Sequence, residues 1–498
     1  MNFDYAQIFS VLIPETIVAV TAFVVLGVDL LCLRASSDRS RLAAAMGIVA
    51  VGCVAAMVAL ARMPASIRLL DGMLVVEGAG RFIKQIVLGL TVIAAILSLE
   101  SKFTKHVGEY FALLLLATVG MMLLVSSDNL LLIFVALELT SLPLYALTAF
   151  NKQSLQSSEA ALKYFLFGSM SAAFTLFGLS LLYGMSSEIT LGGIAAKLGG
   201  HVEPVFYVAL VMTVIGFAFK IAAAPFHLWA PDAYQGAPTP VAAFIASGSK
   251  VASFFVLARI MMAGFAGAEG SAAWRDMVPG WVPLLTALAI ASMILGNIAA
   301  IAQSSVKRLL AYSAIAHAGY ALLAIVSNTQ QALDALLYYV ITYALTVLGA
   351  FGVVNAMESS ASGETLQDFA GLGRRAPLLS LCMLVFVLSL AGIPPLAGFF
   401  GKFYVFMAAA RSGMALGLLW LVVIAIATSA ISLYYYLQIL KQIYVAEPAQ
   451  SVLPMRVNRV MLAAIVALAV SVLALGCAPD FLLDKVGVGS QIVASLVR

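Results

Sequence analysis

Long apolar runs separated by short polar segments dominate the pattern of this chain. A helix needs about 20 apolar residues to cross a bilayer, and by that measure the runs predict about fourteen transmembrane helices. They lie near residues 8–33, 41–62, 81–100, 109–126, 129–150, 155–184, 204–224, 239–262, 280–302, 308–326, 331–357, 377–412 (with a break), 416–446 and 457–476. Runs of this length are incompatible with the short alternating strands of a membrane β-barrel. The pattern therefore predicts an all-α polytopic membrane protein.

Composition supports this class and excludes several functions. Hydrophobic residues make up 63% of the 498 positions and charged residues only 10%, whereas roughly a quarter of a soluble domain is charged. The net charge of +4 is small, and the basic residues flank apolar runs, so nothing indicates nucleic-acid binding. The chain lacks GxGxxG and GxxxxGK[ST] motifs, and its four cysteines lack metal-ligand spacing. We therefore expect no nucleotide, metal or redox cofactor in this chain.

The distribution of lysine and arginine among the loops predicts the orientation. Cytoplasmic loops are enriched in these residues, and every second loop follows that rule, which places both termini outside. The basic residues of these loops are Arg34, Arg39, Arg41, Lys102, Lys105, Lys152, Lys307, Arg308, Arg374, Arg375, Arg456 and Arg459. The second loop is an exception, with Arg62, Arg68, Arg81 and Lys84. Its Asp71-Gly72 pair between apolar stretches predicts a small external hairpin.

Several ionisable residues lie far from the ends of their predicted spans. Each costs at least roughly 2.5–3.5 kcal/mol at the centre of a membrane helix, so a functional role is the default hypothesis. They are Glu138, Lys163, Lys220, Lys250, His317 and Lys402, together with His227 beside a proline in the seventh span. A carboxylate that moves relative to a buried lysine changes whether that lysine holds its proton. The set therefore indicates a proton path, in which we expect Glu138 to be the partner of Lys220.

Structural explanations remain open for each of these residues. Buried ion pairs can simply lock helices together, although apolar residues are often at least as stable. Lys163 is close enough to a helix end for its long side chain to reach the interface. His227 and His317 can equally be neutral, hydrogen-bonded residues. Asp232, near the inner end of its helix, is expected to be a cap or an entry residue.

Two spans are interrupted by proline. Pro225 and Pro231 break the seventh, and Pro394 with Pro395 breaks the twelfth. Broken helices in corresponding positions of two halves are typical of inverted-repeat transporters, and a shift of five spans inverts orientation. We therefore predict a three-helix segment with a hairpin (1–107), a first five-helix repeat broken near 220–234 (108–262), a second, inverted repeat broken near 390–402 (263–446), and a C-terminal helix and tail (447–498).

Five segments resemble one protein family, and the resemblance extends along nearly all of the chain. They are LELTSLPLYALTAF, FKIAAAPFHLWAPDAYQGAPTPVAAFIASGSKVASF, SSVKRLLAYSAIAHAGY, LQDFAGLGRRAPLLS and LSLAGIPPLAGFFGKFYVF. Together they resemble the antiporter-like membrane subunits of respiratory complex I, the proton-translocating NADH:quinone oxidoreductase. The ELTSLPLYAL wording and the stop after about fourteen spans favour the subunit N type, which is related to mitochondrial NADH dehydrogenase subunit 2.

The resemblance implies roles for particular residues. Glu138 and Lys220 match the family's pair on the fifth and seventh helices, and Lys250 matches its central lysine. Lys402 matches the terminal lysine and His227 a relay position, while Lys163 matches a sixth-helix lysine of less certain role. It further implies neighbouring antiporter-like subunits and lipids as partners, a bacterial inner membrane as location, and electron transfer in other subunits.

Two function hypotheses follow from these observations, beside a purely structural scaffold. The first is a proton-translocating subunit of an NADH:quinone oxidoreductase. The second is a subunit of a multisubunit cation/proton antiporter without a redox partner, because the same superfamily contains such proteins. Flavin- and cluster-bearing partners that co-purify with NADH:quinone activity would exclude the second.

Overall fold

The computed structural model describes residues 5–64, 66–100, 103–198, 203–360, 363–412, 417–447, 455 and 457–494. Within that part of the chain, thirteen helices are long and apolar enough to cross a membrane. A shorter apolar helix, Pro377–Ala391, forms a further, broken span with the helix that follows it. The structure thus confirms an all-α polytopic membrane protein with about as many spans as the apolar runs predict.

The N-terminal part of the chain, up to Leu198, contains eight α-helices among its described residues. They are α1 (Tyr5–Val11), α2 (Ile13–Leu31), α3 (Asp38–Ala61), α4 (Gly78–Leu97), α5 (Val107–Val125), α6 (Leu130–Thr148), α7 (Leu155–Ser186) and the short α8 (Leu191–Leu198). Side chains cap several of their N-termini, as where Asn129 accepts hydrogen bonds from the amides of Leu131 and Leu132.

The central part contains the first broken span and the most buried helices. They are α9 (Pro204–Ile221), α10 (Trp229–Gly236), α11 (Thr239–Phe244), α12 (Lys250–Arg259), α13 (Trp281–Ile301), α14 (Val306–Val326) and α15 (Gln330–Ser359). A π-helical turn, Ile245–Ser249, joins α11 to α12, and a second one, Ile260–Gly264, follows α12. These four pieces form one continuous span, Thr239–Gly264.

The last part contains the second broken span. Its helices are α16 (Leu372–Arg375), α17 (Pro377–Ala391), α18 (Ala397–Arg411), α19 (Leu419–Tyr444), α20 (Arg459–Cys477) and α21 (Asp480–Ala494).

Two small antiparallel hairpins lie in loops of the same side. The first pairs β1 (Ile67–Leu69) with β2 (Leu74–Val76), and Gly72 in its turn has a φ of +86°, as the Asp71-Gly72 signal predicts. The second pairs β3 (Ser271–Ala273) with β4 (Asp276–Val278) and is not foreseen from the sequence. We call this side of the molecule the hairpin end.

Burial divides the spans into an inner and an outer group. The most apolar stretch of Thr239–Gly264 is 100% buried, and those of α14 and α15 are 94% buried. The corresponding stretches of α3, α7 and α20 are only 33% buried. Three central helices are thus enclosed by helices that face the lipid.

Some sequence-based boundaries need correction. Arg81 and Lys84 are not loop residues, because α4 begins at Gly78 and buries Lys84 against Glu15 of α2, with Nζ 2.7 Å from Oε1. The predicted first span, 8–33, is two helices, α1 and α2, separated at Leu12. Lys102 and Arg456, which contribute to the predicted orientation, lie outside the described residues.

Candidate functional site: a buried row of ionisable side chains

The first broken span ends its leading helix just after Lys220. Ala222 adopts a left-handed conformation with φ of +57°, so α9 stops at Ile221. Two of the polar backbone groups at the break are paired within the protein: the Trp229 indole donates to the carbonyl of Phe219 (3.0 Å), and the amide of Ala224 donates to Ser292 Oγ (2.8 Å). This agrees with the requirement that backbone groups at membrane depth be satisfied internally.

Lys220 is buried, and its ammonium group faces α6. Nζ donates to the hydroxyl of Ser141, whose own proton goes to the carbonyl of Leu137. Glu138 lines the same small cavity of about 10 Å³ together with Lys220 and Tyr145, but none of the ion pairs found among the described residues includes Glu138. The predicted partners are therefore neighbours, and a serine hydroxyl takes the direct hydrogen bond.

Lys250 is the first residue of α12 and directly follows a π-helical turn. It is 2% exposed, and its Nζ donates to the carbonyl of Ala314 on α14 at 2.8 Å. The ring of Tyr343 lies beside it, with its centroid 5.8 Å from Nζ. π-turns of this kind occur frequently at functional sites.

His317 lies between Lys250 and Lys402. Its Nδ1 is 2.7 Å from the hydroxyl of Tyr339, and its Nε2 is 3.2 Å from that of Tyr436. Tyr343, which neighbours Lys250, has its ring centroid 4.9 Å from that of His317. On the other side, Tyr320 is 5.7 Å from His317 by ring centroids and 5.2 Å from Lys402 Nζ.

Lys402 occupies the second broken span. Gly392, with φ of +86°, ends α17, and Lys402 follows in the second turn of α18. Its Nζ donates to the carbonyls of Leu390 (2.9 Å) and Ala391 (3.1 Å) and to Ser429 Oγ (2.9 Å). The ammonium group thus caps the carbonyl end of the helix before the break.

The structure places Lys163 apart from this arrangement. Its Nζ pairs with Glu159 (2.6 Å) and with Asp232 (2.8 Å), and its side chain is 40% exposed. Asp232 also binds Arg308 at 2.5 Å. Lys163 and Asp232 therefore belong to an ionic cluster opposite the hairpin end, which suits the expected cap or entry role of Asp232.

His227 lies in the segment between α9 and α10 and is partly exposed. Its Nδ1 is buried and has no hydrogen-bond partner among the described residues. No hydrogen bond or ion pair among the described residues joins it to Lys250, so its relay role stays a prediction.

Sequence reasoning missed a second ionic cluster at the same end. Lys307 is held between Glu358 (2.9 Å) and Glu364 (3.0 Å). Gln235 extends the network, since it donates to Glu364 (2.8 Å) and accepts from Arg308 (3.3 Å). The sequence predicts a loop cation at Lys307 because the residue lies at a helix end, and only the fold brings the two carboxylates to it.

Taken together, Glu138, Lys220, Lys250, His317 and Lys402 form what we call the buried row. Its members are amines, an imidazole and a carboxyl group. Hydroxyl groups of serine and tyrosine bind Lys220 and His317, and tyrosine rings lie beside Lys250 and Lys402. Such groups can exchange protons by short rearrangements of hydrogen bonds. Within the described part of the chain, no three His, Cys, Asp or Glu side chains are grouped as metal ligands.

Comparisons with known proteins give the family. The model described as "NADH:quinone oxidoreductase/Mrp antiporter, TM" matches residues 127–432, a range that contains the whole buried row. NADH-quinone oxidoreductase subunit N 2 of Acidobacterium capsulatum is 51% identical over 489 residues, covering 96% of this chain and 98% of the relative.

Solved structures agree with this assignment. A chain of respiratory complex I from Thermus thermophilus matches with a TM-score of 0.78 and 35% identity, covering 96% of this chain and all of that one. A chain of the Mrp complex from Dietzia sp. matches with a TM-score of 0.80 but only 20% identity, over 97% of this chain and 99% of that one, which shows a shared fold. The resemblance noted in the sequence is thus confirmed: the chain belongs to the NADH-quinone oxidoreductase subunit N family.

Proposed function

We propose that this chain moves protons across the membrane through the buried row, driven by electron transfer in other subunits of an NADH:quinone oxidoreductase. The observation that supports this most is the close spacing of the row from Lys250 to Lys402. Tyrosine side chains connect Lys250, His317 and Lys402 at ring-centroid distances below 6 Å. An enclosed series of proton-binding groups at membrane depth is costly, and proton transfer gives it a use.

Each member has a proposed role. Glu138 and Lys220 form a switchable pair, because a change in their separation changes whether Lys220 holds its proton. Lys250 receives the proton next, with His227 as a candidate relay, and His317 passes it between Lys250 and Lys402. Lys402 is the last site of the row. Lys163 influences the first half from the cluster with Asp232 rather than from within the row.

The wider setting is also a proposal. We place the chain in a bacterial inner membrane with both termini on the periplasmic side, which makes the hairpin end the outer end. Its partners are neighbouring membrane-arm subunits and lipids, and it holds no redox cofactor itself. The repeat division at 108–262 and 263–446 is supported by the two breaks, which fall in the seventh and twelfth spans.

Replacement of Lys220 and Glu138 tests the function. In the assembled complex, we expect Lys220→Ala and Glu138→Gln to reduce proton pumping and coupled NADH:quinone turnover while complex abundance stays near normal. The measurements are pumping in membrane vesicles and the amount of intact complex on native gels. Lys197→Ala, which changes an exposed lysine of α8, is the control.

The opposite pattern would contradict the proposal. If both variants lowered complex abundance but the complex that formed pumped normally, the buried charges would serve only to hold helices together. Purification of the complex without flavin- or cluster-bearing partners would instead favour a cation/proton antiporter.

A further inference from the structure

A larger cavity lies away from the buried row, at the hairpin end. Its volume is about 250 Å³, far more than the 10–15 Å³ that a single water molecule needs. Four charged residues line it, namely Arg68, Glu77, Asp128 and Arg259. Arg68 and Gly192 on its rim are exposed, whereas Glu77 and Arg259 are buried. The cavity therefore leads from the surface to buried charges.

Arg259 organises the inner wall of the cavity. Its guanidinium group binds Asp128 Oδ1 (2.8 Å) through Nε and Glu77 Oε2 (3.1 Å) through Nη2, and Nη1 donates to the carbonyl of Val125 (3.2 Å). Asp128 also faces Arg68, with 3.6 Å between Oδ2 and Nη2. Two arginines thus balance two carboxylates, which keeps this buried group electrically neutral when both carboxyls are ionised.

Glu77 is the member whose bonding is incomplete. It is 2% exposed, and its Oε1 is buried without a hydrogen-bond partner among the described residues. A buried polar atom without a partner costs about 1–3 kcal/mol. Water in the adjoining cavity, or a proton on Oε1, would remove that cost.

The same wall connects to the buried row through one helix. Lys250 and Arg259 are the first and last residues of α12, and nine residues of α-helix span about 13 Å. The span that contains them is completely buried in its most apolar stretch. A π-helical turn follows Arg259 as another precedes Lys250, so both charged residues border irregular turns.

We propose that this cavity is a water-filled vestibule in which Glu77 exchanges protons with the outer aqueous phase, at the outer end of the helix that carries Lys250. The proposal rests on the proposed function. In the exchange, Glu77 Oε1 takes a proton from hydronium and leaves water, or returns it to water, and no electrons move. Burial raises the pKa of Glu77, although the nearby Arg259 acts in the opposite direction.

The groups that face Glu77 come from three elements: Arg68 of β1, Asp128 between α5 and α6, and Arg259 of α12. Among the described residues, Asp128 binds both arginines, whereas Glu77 binds Arg259 through Oε2 and has no hydrogen-bond partner at Oε1. Proton exchange is therefore assigned to Glu77 and positioning to Arg259.

Cysteine labelling tests the vestibule without reference to pumping. In a background with Cys32 and Cys477 replaced by serine, Ala195→Cys and Ala263→Cys place thiols on the cavity wall. We expect a membrane-impermeant maleimide to label both from the outer side of the assembled complex and neither from the inner side. Absence of outer labelling at Ala263→Cys would overturn the proposal.

Pumping tests the role of Glu77. We expect Glu77→Gln to lose protons pumped per NADH oxidised, and Glu77→Asp to retain most of them because it keeps a titratable carboxyl group. Glu203→Gln is the matched control, since it changes an exposed glutamate at the same end that makes no side-chain cap bond.

The outcomes separate this proposal from the proposed function. If Glu77→Gln pumps like Glu203→Gln while Lys220→Ala is deficient, the vestibule role fails and the row survives. If Glu77→Asp is as deficient as Glu77→Gln at normal complex abundance, the carboxyl group is not the proton site and the proposal also fails.

Discussion

The two broken spans have the same backbone conformation at the break, but their lysines lie at different positions and make different hydrogen bonds. Ala222 and Gly392 both take left-handed conformations. In both breaks, the next amide along the chain, that of Ala223 or Ile393, reaches back five residues to a helix carbonyl. Positions 222 and 392 are therefore equivalent, and on that register Lys220 corresponds to Leu390 and Lys402 to Asp232.

The lysines consequently lie on opposite sides of their breaks. Lys220 precedes its break and binds a serine hydroxyl on another helix, while the Trp229 indole caps the freed backbone. Lys402 follows its break and itself caps two carbonyls. In the first span, the charged group and the group that pairs with the backbone belong to different residues. In the second span, the amine of Lys402 is both. Loss of the Lys220 charge would therefore leave the bond from Trp229 to Phe219 in place.

The largest expected difference between the breaks is the loss of stability when the lysine amine is removed. Lys402→Met leaves two buried carbonyls without that donor, at about 1–3 kcal/mol each, so we expect a marked loss of thermal stability and of assembled complex. Lys220→Met removes one bond to a hydroxyl and should leave complex abundance near normal while pumping falls. Thermal inactivation and native gels measure both, and equal abundance of the two variants would refute the distinction.

The next effect concerns the residue that ends α17. Gly392→Ala puts a side chain at φ of +86°, which costs about 1–2 kcal/mol in a left-handed conformation. Its Cβ would also lie 3.1 Å from Lys402 Cδ. We expect lower thermal stability and displacement of the amine, seen as reduced pumping. Gly184→Ala, where a Cβ meets no atom within 4 Å, is the control. Equal thermal stability and pumping in the two variants would contradict close packing at the second break.

A smaller effect is expected at the cap of the first break. Trp229→Phe removes the indole donor to Phe219 but keeps an aromatic ring against Tyr164, which stacks on Trp229 at 4.2 Å. The expected loss is about 1 kcal/mol of stability, with pumping per NADH unchanged. Trp274→Phe changes an exposed tryptophan and serves as the reference. A pumping defect in Trp229→Phe would mean that cap and charge are coupled in the first break as well.

The smallest effect has the opposite sign. Ala222→Gly relieves a non-glycine residue at φ of +57°, and we expect a gain in thermal stability of up to about 1 kcal/mol, because the added freedom of the unfolded chain offsets part of the relief. A loss of stability would show that the Ala222 methyl group contributes more by packing than it costs in conformation.

The sequence predicted what depends on local pattern. Long apolar runs gave the spans, prolines gave the two breaks, and the cost of buried charge selected Glu138, Lys220, Lys250 and Lys402. The sequence did not predict which side chains from distant segments form hydrogen bonds or ion pairs. Nothing local indicates that Ser141 rather than Glu138 accepts the hydrogen bond of Lys220, or that Lys84 of α4 meets Glu15 of α2.

His317 shows why residue type and burial do not by themselves assign a role from the sequence. Both ring nitrogens face tyrosine hydroxyls, which is the arrangement that a neutral structural histidine requires. The same two bonds give a proton a hydroxyl on each side of the ring. Residue type and burial are identical in the two cases, so only a measurement of transport separates them.

The burial of the central helices determines how well the charged side chains are shielded from lipid. The helices that carry Lys250 and His317 are almost completely buried by the helices around them. Burial is lower at Glu138, which is only partly buried and shares its helix face with the exposed Val135 and Leu142. A lone copy in a bilayer would present a carboxyl group sideways to lipid, at a high solvation cost. In the assembled complex, a neighbouring subunit on this face would shield that carboxyl group from lipid.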